Sequence, residues 1–124
     1  SFPSHGHLCY KATCYQTTRL LVEKLGLEEG RFTTSFQSRL SKNWMRPFTD
    51  ETLEKLAADG AKRVLIVAPS FVADCLETIV ELGYEYKELF LEKGGEELTL
   101  VPSLNSDDVW VQSLVQIVSD SSFI

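Results

Sequence analysis

The chain has 124 residues, of which 44% are hydrophobic and 24% charged, and these values are typical of one globular domain. Its formal net charge of −6 argues against a nucleic-acid partner, because no basic patch is present to neutralise phosphates. No apolar run approaches the roughly 18 residues of a membrane span, and the odd number of cysteines, three, favours reduced thiols in a cytoplasm over a disulfide framework.

The first half of the chain alternates between helical and extended patterns. The predicted elements are a helix over 13–25, a strand over 31–36, a polar loop over 41–48 and a helix between Thr49 and Gly60. The first helix carries an apolar stripe and is followed by Gly26, a residue type that commonly ends helices. Thr49 is suited to cap the second helix, because its hydroxyl can accept a hydrogen bond from a free N–H of the first turn.

The second half predicts two strands and two further helices. They are a strand over 64–68, a long helix over 73–93, a strand over 98–101 and an amphipathic helix over 109–118. The first strand is rich in β-branched residues and closed by Pro69, which is typical of a fully buried parallel strand. Gly83 is expected to kink the long helix or to end its first half, and Gly94 with Gly95 to terminate it.

Strands that alternate with helices predict a three-layer α/β fold. We expect a short parallel sheet of three or four strands, flanked by helices, in a single domain over residues 1–124. In such sheets, ligands bind in the crevice beyond the carboxyl ends of the strands.

Two carboxylates follow the first of these buried strands. Asp74 and Glu77 are three positions apart, so a helix would place them on roughly the same face. Two interpretations are open at this point. The pair serves chemistry at the ligand-binding edge of the sheet, or it merely favours the positive end of the helix dipole.

Four segments, in chain order, resemble the C-terminal half of ferrochelatase, the enzyme that inserts ferrous iron into a porphyrin to form haem. They are Phe36-Gln37-Ser38-Arg39, residues 44–53 (WMRPFTDETL), residues 71–78 (FVADCLET) and Pro102-Ser103-Leu104-Asn105. The similarity runs from about Cys9 to about Val118. It implies a chelatase-like half domain, a porphyrin as substrate, and an N-terminal ferrochelatase domain as the partner that forms the other side of the active site.

The resemblance also implies roles for individual residues. Glu77 matches the active-site carboxylate that accepts protons and escorts the metal. Asp74 matches an acid on the metal or proton path. Trp44 lies in a segment that resembles a porphyrin-contacting loop. The alternative role for this tryptophan is that of a local packing anchor. Gln37, Ser38 and Arg39 follow a predicted strand end and are candidates to bind the porphyrin, for example through its propionates. The alternative is that these residues only end the strand and that the arginine lies in solvent.

The first residues depart from the family pattern. The catalytic histidine of ferrochelatases lies in a His-Gly/Ser-x-Pro motif, whereas here His5-Gly6 is followed by His7-Leu8. His5 is therefore a candidate for that histidine, with a histidine upstream of the chain as the alternative.

Cys9 and Cys14 have C-x4-C spacing and resemble the last pair of four cysteines that hold a [2Fe–2S] cluster in some bacterial relatives. Residues 1–14 would then be the remnant of a cysteine-containing insertion. A cluster needs four ligands, and Cys75 belongs to a different element. We expect no cluster on this chain alone, and one only in a full-length protein with further upstream ligands.

The function implied by the resemblance is ferrochelatase activity in a full-length protein, of which this chain forms one half of the active-site cleft. Two alternatives stay open, a related tetrapyrrole chelatase that inserts cobalt, and a non-catalytic binding module. Peripheral contact with a membrane is left open by the resemblance, as are the identity of the porphyrin and the oligomeric state.

Overall fold

A computed structural model describes residues 9–37 and 45–120. The chain divides into two compact units, Ser1–Leu56 and Ala57–Ile124. The elements are α1 (Tyr10–Leu25), α2 (Thr49–Ala58), β1 (Arg63–Ile66), a π-helix (Glu77–Glu85), α3 (Tyr86–Glu92), β2 (Glu97–Leu100) and α4 (Asp108–Ser119). This order of helices and strands confirms the α/β class. That residues 1–124 form one domain stays a prediction.

The helix α1 begins three residues earlier than predicted and ends where the sequence indicates. Cys9, in extended backbone, precedes its first turn, and Gly26 ends it in the left-handed conformation (φ 65°). Its side chains reach the extended segment that follows. Thr18 Oγ1 lies 2.8 Å from Thr34 Oγ1, and the ring of Tyr15 meets that of Phe36 edge-on at 6.0 Å between centroids.

The predicted strand over 31–36 is wrong for most of its length. Only Phe36 pairs, in an isolated parallel bridge with Phe48. Its N–H donates to the Pro47 carbonyl (2.8 Å), and its carbonyl accepts from Thr49 N–H (3.1 Å). Alternating residues favour a strand but do not make one without a neighbour to pair with. Both phenylalanines are buried and form the core of the first unit.

The sheet of the second unit consists, among the described residues, of two parallel strands rather than the three or four predicted. Its register pairs Val64 with Leu98 and Ile66 with Leu100. These four side chains point to the same face, where the π-helix and α3 pack against β2. Leu65, on the opposite face, is 68% exposed. Full burial of the first strand was therefore a wrong prediction, because burial of both faces needs a helix on each.

The long predicted helix is present over most of its length, but it begins as a π-helix. The N–H of Tyr86 donates to the carbonyl of Glu81, five residues back, which is the hydrogen bond that defines this geometry. Gly83 does not end the helix, which continues to Glu92. A Cβ on it would stand 3.4 Å from the side chain of Leu100, so the glycine permits close approach to β2.

The end of α3 confirms the predicted glycine stop. Gly94 has a φ of 108°, a conformation that L side chains rarely adopt. The ring of Phe90 lies where a Cβ on Gly95 would stand, and the Gly95 N–H donates to the Phe90 carbonyl. Phe90 is fully buried as a result and anchors the core of the second unit.

The last helix, α4, is capped by Asp107, whose carboxylate accepts hydrogen bonds from the N–H groups of Val109 and Trp110. None of its residues is buried, although the helix is mostly apolar. Over residues 9–37 and 45–120, no helix is both long and apolar enough to cross a membrane.

Candidate active site

The two loops that leave the sheet at its carboxyl edge are joined to each other. Val101, just after β2, donates its N–H to the carbonyl of Ile66 at the end of β1 (2.8 Å). Four residues on, the N–H of Asn105 donates to the carbonyl of Val72 (2.8 Å). This is the edge at which open α/β sheets bind ligands, and both predicted carboxylates follow it along the chain.

Asp74 lies in the loop after β1 and is held by the loop after β2. Its N–H donates to Asn105 Oδ1 (2.8 Å), and its Oδ2 accepts from Asn105 Nδ2 (2.9 Å). Its Oδ1 accepts from the Ser103 N–H at 3.2 Å. Hydrogen bonds hold the pKa of Asp74 below its ordinary value of 3.8. The largest effect comes from the Asn105 side chain, and the next from Ser103. Asp74 is therefore a carboxylate at neutral pH.

The π-helix is fixed at its start by Thr78, which is almost completely buried. Its hydroxyl accepts from the Cys75 N–H (3.0 Å). The hydroxyl proton faces two acceptors, Asp74 Oδ1 at 3.2 Å and the Cys75 carbonyl at 3.1 Å. Such local bonds satisfy backbone groups that a helix end leaves without a partner. They connect Asp74 to the first turn of the π-helix.

Glu77 is the first residue of the π-helix and is exposed. The sequence predicted that a helix would place the two acids on one face. Asp74 precedes the helix, so the two acids do not share a helical face. A hydrogen bond from the Cys75 thiol, and one from the Glu77 backbone N–H, hold the pKa of Glu77 below its ordinary value of 4.5. Glu77 is thus an ionised group at neutral pH.

An open groove of about 260 Å³ runs along the π-helix and is lined by Leu76, Glu77, Val80, Glu81 and Glu85. We call it the acidic groove. Its carboxylates recur every fourth residue, and its walls are aliphatic. The phenol of Tyr86 donates to Glu81 Oε1 (2.8 Å), which fixes the middle carboxylate in place.

Sequence reasoning missed three residues of this region, Glu81, Glu85 and Asn105. The four-residue spacing from Glu77 was the available signal for the two glutamates. The signal for Asn105 was its place just after the second parallel strand, since the carboxyl ends of adjacent parallel strands share one edge.

No three His, Cys, Asp or Glu side chains within the described ranges lie close enough together to hold a metal ion. The groove carboxylates are therefore spread along the helix rather than gathered into a closed site. Cys9, Cys14 and Cys75 are free thiols, each half-buried. A [2Fe–2S] cluster needs four ligands, of which Cys9 and Cys14 would provide two, so the described residues do not fit a cluster by themselves.

The remaining predicted site residues belong to the first unit. Gln37 is half-buried and directly follows the paired Phe36. His5, Ser38, Arg39 and Trp44 lie outside the described residues, and their roles stay predictions.

Comparison with known proteins agrees with the four-segment resemblance. A family model described as Ferrochelatase matches residues 3–122. The ferrochelatase of Pseudomonas fluorescens Pf0-1 is 49% identical over 107 residues, which cover 86% of this chain and 31% of that relative. The ferrochelatase of Azotobacter vinelandii DJ is 46% identical over 110 residues, covering 88% and 32%. The chain spans about a third of the length of these relatives. Because the family match covers nearly all of the chain itself, the chain belongs to the ferrochelatase family.

Proposed function

We propose that the full-length protein containing this chain inserts ferrous iron into a porphyrin to form haem, and that this chain supplies one wall of the active site. The observation that carries the proposal is the position of Glu77. It lines the acidic groove as the first residue of the π-helix, in a chain matched to the family over residues 3–122.

The reaction exchanges two porphyrin N–H protons for one Fe²⁺ ion, so the site must accept protons and deliver a metal. A carboxylate suits both tasks, because it is a proton acceptor and an oxygen ligand for divalent ions. In the open groove Glu77 has a lowered pKa and is a weak base. A porphyrin covering it would displace water, and desolvation raises the pKa of a carboxylate. Substrate binding would thus make Glu77 a better proton acceptor.

Glu81 and Glu85 extend the same line of carboxylates away from Glu77. Because no three such groups converge among the residues that the structure describes, this part of the groove would hold a divalent ion loosely. Loose binding suits an ion that has to leave for the porphyrin nitrogens. We therefore assign Glu81 and Glu85 to metal entry or proton exit.

The porphyrin-facing segment has a fixed base. The bridge between Phe36 and Phe48 ties together the two ends of residues 37–47. Arg46 lies over the ring of Phe48, at 4.4 Å from its centroid. On this base we propose that Trp44 contacts the macrocycle, and that Gln37, Ser38 and Arg39 bind its polar edge.

The rest of the site is proposed to come from the remaining length of the protein, since the relatives are about three times as long as the matched region. An N-terminal domain would form the second wall. His5, or a histidine upstream of Ser1, would face Glu77 across the porphyrin. Location in the cytoplasm and peripheral contact with a membrane stay predictions from the sequence.

The choice of metal and macrocycle tests the proposal. We expect the full-length protein to insert ferrous iron into a porphyrin faster than it inserts cobalt into a reduced corrinoid precursor, measured by the absorption of each product. The reverse order would identify a cobalt chelatase. Insertion of neither metal, by a folded protein that still binds a tetrapyrrole, would favour a binding module.

The two N-terminal cysteines predict a difference between this chain and the full-length protein. Cys9 lies in extended backbone before α1, so helical spacing does not hold it apart from Cys14. We expect this chain to be colourless with reactive thiols, and the full-length protein to be red-brown, with a [2Fe–2S] absorption that Cys14→Ser abolishes. Cys75→Ser is the matched control and should keep the colour. A full-length protein without iron or sulfide after anaerobic purification would leave the pair as ordinary cysteines.

A further inference from the structure

Asn105 has an uncommon backbone conformation, and its side-chain amide makes several hydrogen bonds. Its φ of 50° makes it the one non-glycine residue with positive φ in the described ranges, a conformation that is uncommon outside glycine. Its Oδ1 accepts from the Asp74 N–H at 2.8 Å. Its Nδ2 donates to Asp74 Oδ2 at 2.9 Å and to the Ser103 carbonyl at 3.0 Å. The amide therefore holds both the backbone and the carboxylate of Asp74.

The carboxylate of Asp74 is correspondingly engaged. One of its oxygens accepts from Ser103 N–H and faces the Thr78 hydroxyl, and the other accepts from Asn105. A carboxylate has about four acceptor positions, so three engaged positions leave little room for a metal ion or a proton, and each lost bond to a charged group is costly. The bonding around Asp74 thus suits a fixed group better than a carrier.

The same hydrogen bonds extend to the first turn of the π-helix, which contains Glu77. Thr78, the neighbour of Glu77, connects Asp74 Oδ1 to the Cys75 backbone. Ile79 closes the turn by donating to the Cys75 carbonyl (2.9 Å). The direction in which the π-helix leaves the loop, and with it the place of Glu77, is set by this small network.

We propose that Asn105 and Asp74 are positioning residues, which hold the loop after β2 against the start of the π-helix and so aim Glu77 at the porphyrin. This rests on the proposed function. Asp74 then acts through hydrogen bonds, and neither metal nor protons pass through it. What the pair needs is one amide and one carboxylate that face each other.

An exchange of the two side chains in the full-length protein tests this. Asp74→Asn places two amide donors together, and Asn105→Asp places two carboxylates together. We expect each to lower kcat by about 10-fold to 100-fold, since misplacement of a reacting group by about 1 Å can cost about 10²-fold. KM for the porphyrin should change little. The double variant restores an amide opposite a carboxylate, although an aspartate at position 105 cannot donate to the Ser103 carbonyl. We therefore expect it to regain part of the lost kcat and to be clearly faster than either single variant.

Asp107→Ala is the matched control. It removes a carboxylate of the same loop whose hydrogen bonds cap the first turn of α4. It should lower stability and leave kcat unchanged. A double variant as slow as Asp74→Asn would overturn the proposal, because a carrier role requires the carboxylate at position 74. Single variants with full kcat would also overturn it.

Amide exchange separates this proposal from the proposed function. In the single variants we expect backbone amides over 75–79 to exchange at least about tenfold faster, because the network that protects them opens more often. The double variant should return them to slow exchange. This result is independent of whether iron is inserted. Unchanged exchange in the single variants would overturn the positioning role, even in an active enzyme.

Discussion

Replacing Glu77 by glutamine in the full-length protein should lower the rate of metal insertion by about 10²-fold or more, the contribution typical of an acid–base group. Glutamine keeps the shape of the side chain but cannot take a proton from the porphyrin, and it is a poor ligand for a divalent ion. Because Glu77 is exposed, its substitution should change the free energy of unfolding little. Steady-state insertion assays and thermal unfolding measure the two quantities.

Glu92→Gln is the matched control for this variant. Glu92 is an exposed carboxylate at the end of α3, and it does not line the acidic groove. Its substitution should leave insertion unchanged, which would show that the loss in Glu77→Gln is local and does not follow from the altered net charge. Near-normal turnover of Glu77→Gln would remove Glu77 from the mechanism.

This chain on its own should fold yet insert no measurable metal. Its second unit has a fully buried aromatic centre in Phe90, with Leu82 and Leu98 buried as well. No buried side-chain N or O among the described residues lacks a hydrogen-bond partner. The acidic groove, however, lies open. Without a second wall, the porphyrin would be neither bent nor shielded from water, and both conditions assist the reaction.

Circular dichroism with thermal unfolding measures the folding of the purified chain. The shift of porphyrin fluorescence on insertion of zinc, or formation of haem with iron, measures insertion. The full-length protein under the same conditions is the control. Insertion by the chain alone, at a rate near that of the full-length protein, would show that the second wall is dispensable and would locate the whole site within these residues.

The helices and the paired strands could be predicted from the sequence because their signals are local. Gly26 and the Gly94-Gly95 pair mark helix ends, and apolar periodicity marks the faces that pack. The strand predicted over 31–36 failed for a non-local reason, since it depends on a neighbour that only Phe36 finds, in Phe48. The π-helix was not predictable either, because its hydrogen bonding has no residue pattern of its own.

The candidate site divides in the same way. Glu77 could be proposed from a short matched segment, and it lines the acidic groove. Its catalytic role stays a prediction. The contacts of Asp74 could not be identified, since its main partner, Asn105, lies 31 positions away in the sequence. A family motif names the residues of such a pair separately and does not state that they touch.

The π-helix makes the length of this segment as important as its composition. In a regular α-helix each residue advances by about 100°. A π-helix advances less per residue, because each hydrogen-bonded turn holds one residue more. Removing one residue between Glu77 and Glu85, so that α-helical bonding is restored, would break the four-residue spacing of the carboxylates that line the acidic groove. Every side chain of the segment except one would survive such a deletion, and the acidic groove would not. Single-residue gaps here should be far less tolerated than substitutions, and an alignment that opens one in this stretch would misassign the carboxylates.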